Sequence, residues 1–108
     1  MEKIIEKVIS LEEHGLNDLA WSKEDAINLI QSIMKDRVGI LGGDVCELTS
    51  NRLKFCGDNW ACRRIQTESE EAYNLRSKIK SLQYIEKYPV PPNKKIIFVL
   101  VFTEQVCL

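Results

Sequence analysis

Val38-Gly39-Ile40-Leu41-Gly42-Gly43-Asp44-Val45-Cys46-Glu47-Leu48, running on to Phe55-Cys56-Gly57-Asp58-Asn59-Trp60, is the stretch where helical periodicity stops and strand alternation begins. It holds the only glycine pair of the chain, followed at once by a carboxylate. Glycine inside a strand pattern marks a bulge, a bend or a close backbone approach. Here the pair is expected to turn the chain before Val45. Asp44 then stands at a strand entry, either bonded to nearby backbone N–H groups or exposed for binding.

Residues 45–56 read as a hairpin. Leu48 opposite Leu53, across a loop Thr49-Ser50-Asn51-Arg52, sets Cys46 against Phe55 and Glu47 against Lys54. That register collects Cys46, Leu48, Leu53 and Phe55 on one face, and a slip of one residue would scatter them. Gly57-Asp58-Asn59 is a turn by composition. Trp60-Ala61-Cys62 then opens a third strand. Trp60 reads either as a large core residue or as an aromatic anchor at an interface.

Working outward, Glu2–His14 has helical spacing at Ile4, Ile5, Val8 and Leu11, with Gly15 as a stop. Leu16–Trp21 is a connector. Ser22 caps a second helix with Asp25 three residues on, and Ala26, Ile27, Ile30, Ile33 and Met34 form its apolar stripe. A long helix begins at Thr67, with Glu70 at the capping-box position, and its stripe runs Ala72, Leu75, Ile79, Leu82 towards Ile85. Tyr88-Pro89 ends it, because the residue before proline avoids helical geometry. Lys95–Phe102 is a strand apolar on both faces, hence internal to a sheet. The expected fold is α+β. It has two N-terminal helices, a three-stranded antiparallel meander, a long helix and a final internal strand. One mainly antiparallel sheet carries the packed helices.

The chain has 108 residues, with 44% hydrophobic and 29% charged content and a net charge of −1. These are values for one soluble domain spanning 1–108. No apolar run approaches the roughly 20 residues of a membrane helix, and no signal-peptide pattern opens the chain, so the cytoplasm is the expected location. Charge is uneven. Residues 1–50 carry −5 and residues 51–108 carry +4. The four cysteines form no Cys-x-x-Cys pair and there is one histidine, His14, so no metal and no cofactor is expected. Walker, dinucleotide-binding, Gly-x-Ser-x-Gly and His-Glu-x-x-His motifs are missing. Gly-Gly-Asp followed by Val45-Cys46 does not fit the cyclic-dinucleotide synthase signature.

The chain resembles the bacterial immunity protein 40 family of polymorphic toxin systems. The resemblance rests on Trp21 to Ala26 opening a helix, Leu41-Gly42-Gly43-Asp44-Val45, Asp58-Asn59-Trp60, a helix ending in Tyr84-Ile85-x-x-Tyr88, and the apolar last strand. It covers about residues 20–102. It implies a small cytoplasmic protein that binds and inactivates a toxin domain made by the same cell, without being an enzyme. Candidate toxin-binding residues are Asp44 and Asp58 at expected turns, Trp60 beside them, and Glu12, Glu13 and Asp18 in the acidic half. Two other classes stand beside this one. One is a nucleic-acid-binding regulator using Arg63, Arg64, Arg76, Lys78 and Lys80. The other is a carboxylate-dependent hydrolase using Asp44 and Asp58.

Overall fold

A computed structural model describes residues 9–10, 19–50 and 52–103. Its elements are β1 (Ile9–Ser10), β2 (Leu19–Ser22), α1 (Lys23–Ser32), β3 (Ile40–Thr49), β4 (Arg52–Ala61), α2 (Glu70–Lys87) and β5 (Ile96–Phe102). The strands form one sheet in the order β1-β2-β5-β3-β4, and every pairing is antiparallel. The α+β class and the internal place of the last strand agree with the sequence.

β5 lies between β2 and β3 because both its faces are apolar. Ile96, Phe98 and Leu100 join Trp21, Val45 and Trp60 in the main core under the helices. Ile97 and Val99 bury the opposite face with Ala20 and Cys46. The hairpin register is the expected one, with Cys46 opposite Phe55, Glu47 opposite Lys54 and Leu48 opposite Leu53. The loop is tighter than expected, since Thr49 and Arg52 also pair and Ser50 takes a positive φ of 39°.

Three expectations are overturned. Gly57-Asp58-Asn59 does not turn the chain. A register shift between Asp44 and Cys46, with Gly57 at φ 85°, absorbs the extra residues as a bulge, and Trp60-Ala61 continues β4. The meander is therefore a long hairpin completed by β5. Secondly, the expected helix over Glu2–His14 is contradicted at Ile9–Ser10, whose backbone pairs with Leu19 and Ala20. Sheet pairing there outweighs local spacing. The remainder of that helix lies outside the described residues, while the expected connector instead ends in β2. Thirdly, α2 begins one turn-fraction later than expected. Ser69, not Thr67, is the N-cap, and its Oγ accepts from the Ala72 N–H at 3.1 Å.

α2 is also rotated. Its buried residues are Tyr73, Asn74, Ser77, Lys78, Ser81 and Ile85, whereas Leu75 and Ile79 are 47% and 42% exposed. The polar side is inward because most of its groups find partners, Asn74 Oδ1 being the exception. Ser77 Oγ accepts from the Ile40 N–H, Ser81 Oγ accepts from the Trp60 indole, and the Tyr73 hydroxyl donates to Cys62 O. Lys78 Nζ donates to Ile33 O, Met34 O and Asp36 O at 2.9, 2.9 and 2.8 Å. α1 has no basic residue in its own last turn, so Lys78 supplies the cation that its negative end favours. Ser22 caps the other end of α1, as expected, by accepting from the Asp25 N–H.

Candidate functional site

Two motifs distant in sequence face each other in the sheet. Gly42 pairs with Ala61, Gly43 with Trp60 and Asp44 with Asn59. The glycine pair is thus inside a strand rather than at a bend. A Cβ on Gly43 would sit 2.4 Å from Trp60 Cη2 and 2.3 Å from Val99 O. The indole lies across the backbone where a side chain would be. One on Gly42 would meet Trp60 O at 2.2 Å. Trp60 is 7% exposed, its Nε1–H donates to Ser81 Oγ at 2.9 Å, and its ring stacks on Tyr84 with centroids 4.6 Å apart. The expectation of a projecting aromatic anchor is therefore corrected, and Trp60 pins β4 to α2 from inside.

Side chains alternate between sheet faces. Asp44, level with Val99, and its neighbour Asn59 fall on the face away from the helices, opposite to Val45, Phe98 and Trp60. Asp44 is half-buried and Asn59 exposed. The next row is Gly42, Ala61 and Val101, which puts little bulk beside the Asp44 carboxylate. Val101 is itself 41% exposed. That carboxylate takes no hydrogen bond from the described residues.

Asp58 is exposed in the β4 bulge, but it is held from the helix side. The Tyr88 hydroxyl donates to Asp58 Oδ2 at 2.7 Å, and this bond to the carboxylate pushes the phenol's pKa up. Tyr88 is steadied by the edge-on contact of its ring with Phe98 at 5.6 Å and by Lys23 Nζ, which donates to its carbonyl at 2.8 Å. Asp44 and Asp58 are thus on opposite faces of the sheet and form no paired-carboxylate centre.

The model of the immunity protein 40 family matches residues 10–102. The chain belongs to the immunity protein 40 family. No curated protein and no solved structure matches it.

In this immunity protein 40 member the basic residues of the central loop and α2 are largely engaged. Arg76 Nε donates to Glu68 Oε2 at 2.6 Å, and Nη2 to Arg63 O at 2.7 Å. The guanidinium bonded to Glu68 holds that carboxyl down at about 2. The Arg64 guanidinium lies 4.9 Å from the Tyr73 ring centre. Lys78 is 1% exposed, and Lys80 Nζ donates to Ala61 O at 2.6 Å. With four of the five side chains engaged, and Arg63 contributing only its carbonyl to Arg76, these residues do not make a row of free cations for a phosphate backbone.

Of the other candidates from sequence, Glu12, Glu13 and Asp18 lie outside the described residues, as does His14. Among the described residues no group of His, Cys, Asp and Glu is placed to hold a metal ion, and no helix is long and apolar enough to cross a membrane. Cys46 and Cys62 are buried free thiols and Cys56 is exposed; burial pushes the Cys46 thiol up to about 11. Sequence reasoning missed Asn59 as the neighbour of Asp44, because the bulge hides the register. It also missed Tyr88 as the clamp on Asp58. The signal for Tyr88 was present in the four-residue spacing of Tyr84 and Tyr88, which puts both rings on one side of α2.

Proposed function

We propose that this chain binds a cognate toxin domain in the cytosol of the cell that makes both, and neutralises it by occupation rather than catalysis. The observation that carries this is membership of the immunity protein 40 family over residues 10–102. The geometry adds a candidate surface. Asp44, half-buried, and Asn59, exposed, lie on the sheet face away from the helices, and Asp58 is exposed on the other face of the margin strand, all on strands fastened by Trp60. Rigid placement lowers the cost of ordering a binding surface. A toxin acting on nucleic acid must hold phosphates with cations, and carboxylates in fixed positions compete for those cations and speed encounter. Glu12, Glu13 and Asp18 are proposed as further toxin contacts from the net acidity of the first half of the sequence alone.

Asp44→Asn and Asp58→Asn nearly preserve shape. Each is expected to weaken binding of the toxin domain by about tenfold or more and to reduce protection in a co-expression growth assay. The melting temperature should stay at the wild-type value. Full protection by the double variant would remove these carboxylates from the inhibitory surface. Protection lost only in proportion to folded protein would make their role structural.

A further inference from the structure

β4 is a margin strand with an open side. β3 lies along one edge, and no strand among the described residues lies along the other. Every β4 residue except Trp60 is exposed or half-exposed. The ladder fixes which backbone groups point outward. The Leu48 N–H donates to Lys95 O at 2.9 Å, so the backbone of Leu48 faces β5. By alternation, the groups of Glu47 and Thr49 face β4. Their partners Lys54 and Arg52 therefore face inward, and the N–H and C=O of Leu53 and Phe55 are directed away from the sheet.

The rest of this edge is guarded. Ala61 O, which also points out, is taken by Lys80. Cys56-Gly57-Asp58 is thrown out of step by the bulge, a device that discourages pairing. Arg52–Phe55 has neither protection. Phe55 is 50% exposed on the helix-free side, and Arg52 and Lys54 alternate with it on the other side.

We propose that Arg52–Phe55 is the docking edge for an extended segment of the toxin domain, which adds as a further antiparallel or parallel strand. Its side chains alternate between apolar, packing on Phe55, and acidic, facing Arg52 and Lys54. This rests on the toxin-binding reading above. A second copy of the chain fits poorly in that place. Pairing Leu53 with Leu53 or Phe55 of another copy sets Lys54 against Arg52 or Lys54, and like charges directly opposite are destabilising.

The test uses the full chain and a candidate cognate toxin domain, the one whose activity the chain suppresses in co-expression. In the free chain the Leu53 and Phe55 amides should exchange with solvent rapidly, and in the complex about tenfold or more slowly. Phe55→Pro removes one outward donor and spares the β3–β4 ladder, as proline on the solvent side of an edge strand does. It should raise Kd about tenfold at an unchanged melting temperature, while Phe55→Thr, which keeps the N–H, separates the loss of the ring from the loss of the donor. Unprotected amides in a complex that still depends on Asp44 would overturn the docking edge and leave the toxin-binding reading intact. No complex with wild-type chain would overturn both. Self-association of the chain alone, abolished by Phe55→Pro, would assign the edge to a second copy and overturn the proposal. Should Phe55→Pro fail to fold, the exchange measurement on wild-type chain decides.

Discussion

Gly43→Ala is expected to destabilise the fold by on the order of 4 kcal/mol, at the upper end of what overpacking costs. A single added methyl would sit 2.3 Å from Val99 O and 2.4 Å from Trp60 Cη2. The first obstacle is backbone of the central strand and the second a ring already fastened to Ser81 and Tyr84, so neither yields cheaply. Small domains have about 5–15 kcal/mol in total, which puts the variant near the limit of folding. Gly57→Ala is the control. Nothing lies within 4 Å of a Cβ there, and only the positive φ of 85° opposes it, at roughly 1–2 kcal/mol. Urea denaturation of both variants checks the pair. Equal midpoints would show that Gly43 is not held by the Trp60 indole.

Lys78→Met is expected to cost about 3 kcal/mol, by removing a charged donor shared by three carbonyls, the Ile33 one buried and the other two part-buried. Lys78 Nζ holds the C-terminal turn of α1 through Ile33 O, Met34 O and Asp36 O. Burial lowers the lysine's pKa, while Asp36 acts in the opposite sense. Methionine matches the stem and keeps the packing, so the loss isolates the ammonium. Urea m-values of about 1–3 kcal/mol per molar translate this into a midpoint shift of about 1 M or more. A variant with wild-type midpoint would mean the α1 end satisfies its carbonyls without Lys78.

The same accounting explains why α2 could be located in the sequence but not oriented. Leaving Leu75 and Ile79 about half exposed forfeits roughly 1 kcal/mol each in apolar burial. Turning them inward would strand the Trp60 indole, the Ile40 N–H and the Lys78 ammonium, at about 1–3 kcal/mol for each neutral group and more for the charge. Apolar spacing records only the first quantity. Period-two grouping did fix the hairpin register, and unbroken apolarity did place β5 inside the sheet, because both depend on burial alone. The long strands were illegible for a local reason. Gly42-Gly43 and Gly57-Asp58-Asn59 each favour a turn on their own chemistry, and only the Trp60 ring lying over Gly43 shows why the chain runs straight through. At the candidate site, Asp44 and Asp58 were readable as accessible carboxylates. Their placement on opposite faces and the inward Trp60 follow from alternation continuing straight through Gly57-Asp58-Asn59, where residue chemistry favours a turn, while the pairing of Asp44 with Asn59 follows from the bulge.

The proposed neutralisation works by one-to-one occupation of a toxin domain. Titrating the purified chain into a fixed concentration of a candidate cognate toxin domain, while following the toxin's activity and the heat of binding together, tests it most directly. Activity should fall linearly and reach its floor at one chain per toxin domain, at the same equivalence point as the heat. Inactivation by far less than one equivalent, or binding that leaves the toxin active, would contradict it.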